Sequence, residues 1–381
     1  MRALTCRSGL WPPRVRRDEG WPVYCPRLPL GIRALLTLYV ALALSIVGAC
    51  VGCGSGSSLA VKVAGNQLVD VQGQPIRLLG VDRSGAEYAC IHGRGLLDGP
   101  TDRRAIAAMT AWQINAVRIP LNEDCWLGIN GAPPHFSGIV YQAAIRAYVA
   151  RLNQAGLYVI LDLHWNAPGM ASATGQQPMA DADHAPDFWS SVARAFKADA
   201  SVIFDLYNEP YGISWQCWRD GCVLPQGWRA AGMQTLVQAV RSTGAHQPII
   251  ATGLNWGNDL SSWLRFRPQD PADQLVAGLH VYNGLQCATV TCWNSTVKPV
   301  AQRVPVVAAE LGDSSCSGAF VSSFMNWADS VGLSYLGWSW NPWGCGGPAL
   351  IRSWDGTPTG YGEVLRRHLA ELHPGRPSST D

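Results

Sequence analysis

Charge is scarce in this chain. Only 15% of its 381 residues are Asp, Glu, Lys or Arg, and the net charge is +2. Among the 29 basic residues, only Lys62, Lys197 and Lys298 are lysines. Past the N-terminus no basic run alternates with aromatics, so no nucleic-acid partner is expected. No His-x-His occurs, and no C-x-x-C lies beyond residue 58. A multi-histidine metal hydrolase and a zinc staple are both disfavoured by that lack. No glycine-rich loop follows the first strand-like run, which removes the usual nucleotide cradle. No internal repeat, second-domain boundary or long linker is visible.

What is abundant is apolar surface, at 48% of residues, enough for one large core. Ala34 to Ala49 is an apolar run preceded by Arg33 and by further arginines at 14, 16, 17 and 27. It is too short for a spanning helix and reads as an export signal over residues 1–49. Val47-Gly48-Ala49-Cys50 resembles a bacterial lipobox, which makes Cys50 a lipidation candidate and residues 50–58 a Gly/Ser tether. Ordinary cleavage after Ala49 fits the same residues. Residues 59–381 are expected as one folded unit, an extracellular or cell-surface monomer.

Past the tether stand Cys90, Cys125, Cys217, Cys222, Cys287, Cys292, Cys316 and Cys345. An even count in an exported chain predicts disulfides. Cys217/Cys222 and Cys287/Cys292 are local pairs; elimination leaves Cys90/Cys125 and Cys316/Cys345.

Tryptophan is the compositional outlier, at 17 residues. Trp112, Trp189 and Trp327 fall in helical patterns. Trp126, Trp165, Trp215, Trp218, Trp256, Trp293 and Trp343 fall in loop-like stretches. Flat rings stack on the C–H faces of sugars, so a Trp-lined cleft fits a carbohydrate; the alternative is that these rings cover the ends of the fold.

The chain then alternates. Residues 61–75 read as a small hairpin. Continuously apolar runs at Ile76–Val81, Asn115–Pro120, Leu157–Leu163, Val202–Tyr207, Pro248–Ala251, Leu275–Val281, Val304–Ala309 and Ser334–Ser339 each precede a helical pattern. The helices are expected near Thr101–Gln113, Tyr141–Ala155, Pro186–Ala198, Gly227–Thr243, Asp259–Leu264, Thr296–Gln302, Ala319–Val331 and Gly360–Leu372. Strands apolar on both faces suit a parallel sheet. Eight such units in about 300 residues predict an α/β fold, a (β/α)8 TIM barrel with a small N-terminal β-hairpin. A doubly wound open sheet is the fallback.

Polar and ring residues gather where the runs stop: Arg118-Ile119-Pro120, Asp162-Leu163-His164-Trp165, Asn208-Glu209-Pro210, Asn255-Trp256, His280-Val281-Tyr282, Glu310 and Trp338-Ser339-Trp340-Asn341. In a barrel these ends share one face, and burying such groups without a task costs free energy. Two glutamates at strand ends in an aromatic cleft are the equipment for cutting a glycosidic bond. The Asp181-Ala182-Asp183-His184 cluster reads as a solvated loop, with a cation site as the alternative.

As a set, Arg118-Ile119-Pro120, His164, Asn208-Glu209-Pro210, His280-Val281-Tyr282, Glu310-Leu311-Gly312 and Trp340-Asn341 resemble glycoside hydrolase family 5, the cellulase-type barrels. The resemblance spans nearly all of residues 75–372. It implies retaining hydrolysis, with Glu209 as acid/base and Glu310 as nucleophile. It also implies that Asn208 meets the sugar 2-hydroxyl and that Arg118 and Tyr282 orient Glu310. His164, His280 and Trp340 would line the cleft. Ala309 stands where many members have Gly, and the loops 86–98 and 168–187 match less clearly. The expected partner is a β-linked polysaccharide or oligosaccharide, most simply β-1,4-glucan, with mannan, xyloglucan or a short glucoside as alternatives. No cofactor is called for. A silent carbohydrate-binding lipoprotein would keep the aromatic cleft and lose a carboxylate, and both carboxylates are present.

Overall fold

The computed structural model describes residues 59–373. The expected export signal, the tether and Cys50 lie outside them. Three short strands come first: β1 Lys62–Ala64, β2 Gln67–Val69 and β3 Pro75–Ile76, paired antiparallel in that order. The run expected as one strand over Ile76–Val81 is therefore divided. Ile76 completes this small sheet, and the barrel begins at Leu79.

The barrel strands are β4 Leu79–Asp82, β5 Ala116–Asn122, β6 Tyr158–Trp165, β7 Val202–Asp205, β8 Ile249–Thr252, β9 Leu275–Tyr282, β10 Val306–Gly312 and β11 Ser334–Gly337. All neighbours are parallel, and β11 pairs back onto β4 to close the ring. Two-residue periodicity divides each strand between two cores. Ala116, Ile160, Ile203, Ile250, Val276, Val307, Ala309 and Leu336 pack inside the barrel. Val61, Leu68 and Leu78 join the same cluster, so the small sheet plugs the N-terminal end. The alternate residues, such as Val117, Val159, Phe204 and Ala308, pack outward against the helices.

The last helix is Gly360–Leu372 and the one before it Ala319–Ser330, close to expectation. The helix expected over Gly227–Thr243 is confined to Met233–Arg241. The preceding backbone is committed elsewhere: Ala230 N–H donates to Cys222 O and Ala231 N–H to Ala180 O. Short helices at Ala86–Ala89, Glu123–Leu127 and Trp215–Asp220 interrupt what the sequence presents as loops. They bury Trp126 and Trp218, while Trp293 is buried in a π-helical turn, Trp293–Val297. These three tryptophans pack the scaffold and do not line a cleft.

The disulfides are Cys90–Cys125, Cys217–Cys222, Cys287–Cys292 and Cys316–Cys345, the expected pairing. Among the described residues, no helix is long and apolar enough to cross a membrane.

Candidate active site

Strand parity builds the floor of the C-terminal mouth. The inward positions that carry Gly80, Ala116, Ile160 and Ile203 lower down carry Asp82, Arg118, Asp162 and Asp205 one step higher. All four are fully buried. Arg118 is the hub. Its Nε donates to Asp205 at 2.9 Å, Nη1 to Asp82 at 3.1 Å and to Glu310 at 2.9 Å, and Nη2 to Asn208 Oδ1 at 2.9 Å. Asp162 lies 3.0 Å from Nη2. Burial alone would lower the guanidinium pKa, but the surrounding carboxylates raise it well above the ordinary value. Burial also raises Asp82, Asp162 and Asp205, with Arg118 pulling each back.

Glu310 reaches this floor through a bulge. Val307 and Ala309 face the barrel interior, so simple alternation would turn Glu310 outward. The pairing of β10 with β9 shifts between Ala308 and Glu310, which sets Glu310 beside His280. Bulges commonly re-aim a side chain in this way next to active sites. Tyr282 Oη donates to Glu310 Oε2 at 2.6 Å, while Arg118 holds Oε1. Both oxygens are thus engaged by donors. Gly312 is required here, because any Cβ would overlap the Tyr282 ring.

Glu209 follows β7 and sits opposite, its side chain 20% exposed where that of Glu310 is 4% exposed. Burial raises its pKa to about 7, against the pull of His164 and Arg118. His280 Nδ1 lies 3.0 Å from Glu209 and 3.5 Å from Glu310. Facing two carboxyl oxygens, Nδ1 carries the proton, and burial lowers the His280 pKa to about 3, so the ring stays neutral. Gly257 presses on this ring: a Cβ there would come within 2.8 Å of it, and its φ is +72°. One oxygen from each glutamate and a His280 nitrogen lie within 4.8 Å of one another. Among the described residues this is the group whose geometry could accept a cation.

His164 binds Asp162 through Nδ1 at 2.7 Å and stacks on Trp338, with centroids 5.5 Å apart and planes 7° from parallel. Trp340 does not share this position. It is 1% exposed and packs edge-on against Trp112 at 4.7 Å, outside the mouth. Strand β11 ends at Gly337, so the alternation that turns Leu336 and Trp338 inward does not extend to residue 340. Trp338, named with Trp340 at the end of the eighth run but left out of the expected cleft residues, is the cleft tryptophan. Asp82 and Asp205 were missed too, although their parity with Leu78 and Ile203 marks them as inward.

Trp256 stands at the rim, 41% exposed and stacked on Tyr211 at 3.9 Å. Its backbone N–H donates to Pro210 O, which ties the platform to the chain just past Glu209. On another side of the mouth, Tyr88 lies 6.4 Å from Trp165 and 6.1 Å from Trp343. The Asp181 cluster departs from the solvated-loop expectation. Asp181 is fully buried, and its Oδ1 accepts the N–H groups of Asp183 and His184 while Asn166 donates to Oδ2. It holds the loop together from within.

A protein-family model described as cellulase, glycosyl hydrolase family 5, matches residues 69–344. A mannan endo-1,4-beta-mannosidase of Streptomyces lividans is 23% identical over 81% of this chain and 72% of its own length. Endoglucanase E-5 of Thermobifida fusca is 30% identical over 41% of this chain, which is 29% of that enzyme. A beta-glucanase from Saccharophagus degradans, solved with cellotetraose, superposes with a TM-score of 0.63 at 20% identity, covering 83% of this chain and 94% of that one.

Proposed function

This chain belongs to glycosyl hydrolase family 5 and is a glycosidase acting on O-glycosyl bonds; from that premise we propose that Glu310 is the nucleophile and Glu209 the acid/base of a retaining enzyme that cuts β-1,4-linked sugar chains. The carrying observation is the close approach of the carboxyls: one oxygen of each lies within 4.8 Å of the other, too near for a water to stand between those two atoms as inversion needs. Retaining enzymes hold the two groups at ~5–5.5 Å, whereas inverting enzymes leave ~6.5–9.5 Å for a water between them.

The environments divide the work. Glu209, with its pKa near 7, holds a proton to give to the leaving oxygen. Glu310, bound at both oxygens, attacks the anomeric carbon and forms the glycosyl-enzyme. Glu209, now ionised, takes a proton from water, which attacks the same carbon and releases Glu310. Arg118 and Tyr282 fix the nucleophile's plane, and neutral His280 bridges the pair. Asn208 receives the 2-hydroxyl, His164 and Trp338 flank the reacting ring, and Trp256 with Tyr211 supports the leaving-group side.

β-1,4-glucan is the favoured substrate and mannan the second, since relatives carry the names of endoglucanases and mannosidases. Glu310→Gln is expected to cut turnover of an aryl β-cellobioside on the order of 10⁴-fold with the melting curve unchanged. Substantial residual activity would sink the nucleophile assignment. Cleavage rates on glucan and mannan, side by side, decide between the polymers. Four disulfides fit an exported protein. Its anchor is an acyl chain on Cys50. A Cys50→Ser protein that stays in the membrane fraction of its host would contradict this.

A further inference from the structure

The loop between β6 and the helix Ala185–Phe196 carries a side chain with no assigned task. Gln176 spans three consecutive residues of the Glu209 segment. Its Oε1 accepts from Asn208 Nδ2 at 2.9 Å. Its Nε2 faces Tyr207 Oη and Glu209 O, both at 3.1 Å, and the neighbouring Gln177 O at 2.9 Å. Both ends of the amide are therefore committed to the chain that bears the acid/base.

We infer that Gln176 is a positioning residue for the reaction, acting through Asn208. The inference rests on the reading above, in which Asn208 meets the sugar 2-hydroxyl. Arg118 has only donors, so the Asn208 oxygen must face it, and the amide nitrogen points the other way. That nitrogen has two hydrogens. Gln176 takes one, and the other points to His164 Nε2 at 3.4 Å, too long for a strong bond. One N–H is thus held ready for a substrate hydroxyl, at an angle set by the other. Without Gln176 the amide keeps one fixed end and loses its second. Preorganised donors act without reorganisation during the reaction, which is where the rate is gained.

Gln176 is not what holds its loop. Asp181 bonds Asn166, Ala173 N–H donates to Asp124, Gly169 N–H to Asp183, and Tyr211 N–H to Pro178 O. Removing the amide should leave these ties in place.

The test uses the full chain and two aryl β-cellobiosides, one lacking the 2-hydroxyl on the reacting ring. Gln176→Leu should lower kcat roughly 10–100-fold on the normal substrate with KM within about threefold. On the 2-deoxy substrate the loss should shrink below about threefold, because the contact Gln176 prepares is absent there. Gln176→Glu keeps the acceptor for Asn208, but when ionised it sets its second oxygen against Glu209 O and Gln177 O. Its kcat should therefore lie between wild type and Gln176→Leu on the acid side of the profile, where the carboxyl is protonated and can donate; it also serves if the leucine variant does not fold. Equal losses on both substrates, an unchanged kcat, or a glutamate variant no better than leucine on the acid side would each overturn the inference. Glu310→Gln runs beside them. If it is inactive while Gln176→Leu is fully active, only this inference falls; if it is active, the underlying reading falls.

Discussion

Glu209 is the residue whose environment sets the working pH. Its pKa near 7 comes from burial, and the proton it holds is the one the leaving group needs. The kcat/KM profile should therefore fall on the alkaline side with a midpoint near 7, since free-enzyme groups govern that ratio. A profile flat to pH 9 would contradict the assignment. Glu209→Ala should cost about 10²–10⁴-fold on a polymer, and much less on an aryl glycoside whose leaving group needs no proton. Trp340 and Trp338 make a matched contrast. Trp340→Ala should destabilise by roughly 3–5 kcal/mol, as expected when a buried ring is deleted. Trp338→Ala should chiefly raise KM and lower kcat, with a smaller shift in melting temperature. The two tryptophans look alike in sequence because they are two residues apart. What separates them is that the strand stops between Leu336 and Ser339, and no propensity marks that point.

At the scale of elements, the strand ends were legible because parallel strands buried on both faces have no reason to carry Arg, His or Glu except at their mouths. Arg118, Asn208, Glu209, His280, Tyr282 and Glu310 do converge. The route Glu310 takes was not legible. Its approach depends on a register shift beside Ala308, which is a property of two strands together. The interruption of the loops was hidden as well. Asn122 caps the helix Glu123–Leu127 by accepting from Cys125 N–H, and a single capping residue is weak against a loop-like surrounding. The two long-range disulfides tie such segments down. Cys90–Cys125 and Cys316–Cys345 close 35 and 29 residues of sequence. In the chain-entropy account, removing either should cost between ~3 and ~4.7 kcal/mol, more than removing a local pair. Denaturant midpoints of Cys→Ser pairs would check the order; a larger loss from Cys217–Cys222 would reverse it.

At the scale of the whole molecule, one buried cation faces four buried carboxylates, and stability should depend on pH accordingly. Burial raises Asp162 to about 8 and Asp205 and Glu209 to about 7. Unfolded, such groups titrate near ~4. A raised folded-state value means stability that is complete below the unfolded pKa and lost as pH rises through the folded one. Burial lowers His164 and His280 instead, so their contribution grows with pH and is complete above roughly 6.5. Between about pH 6.5 and 8.5 only the carboxyl effect remains, and the thermal midpoint should fall across that window. A midpoint that rises there would mean the cluster is solvated more than its burial implies.

The plug at the barrel's N-terminal end has a mechanical meaning. Val61 N–H is tied to Ala200 O, and β1, β2 and β3 sit against that same end. Tension on the first residues of the described chain would load the Val61–Ala200 bond first and this small antiparallel sheet after it. The carboxylates lie at the other end of the strands, held by their own pairing around the ring. A tug there would be taken up before it reached Glu209 or Glu310, leaving the cutting edge in alignment while its handle is pulled.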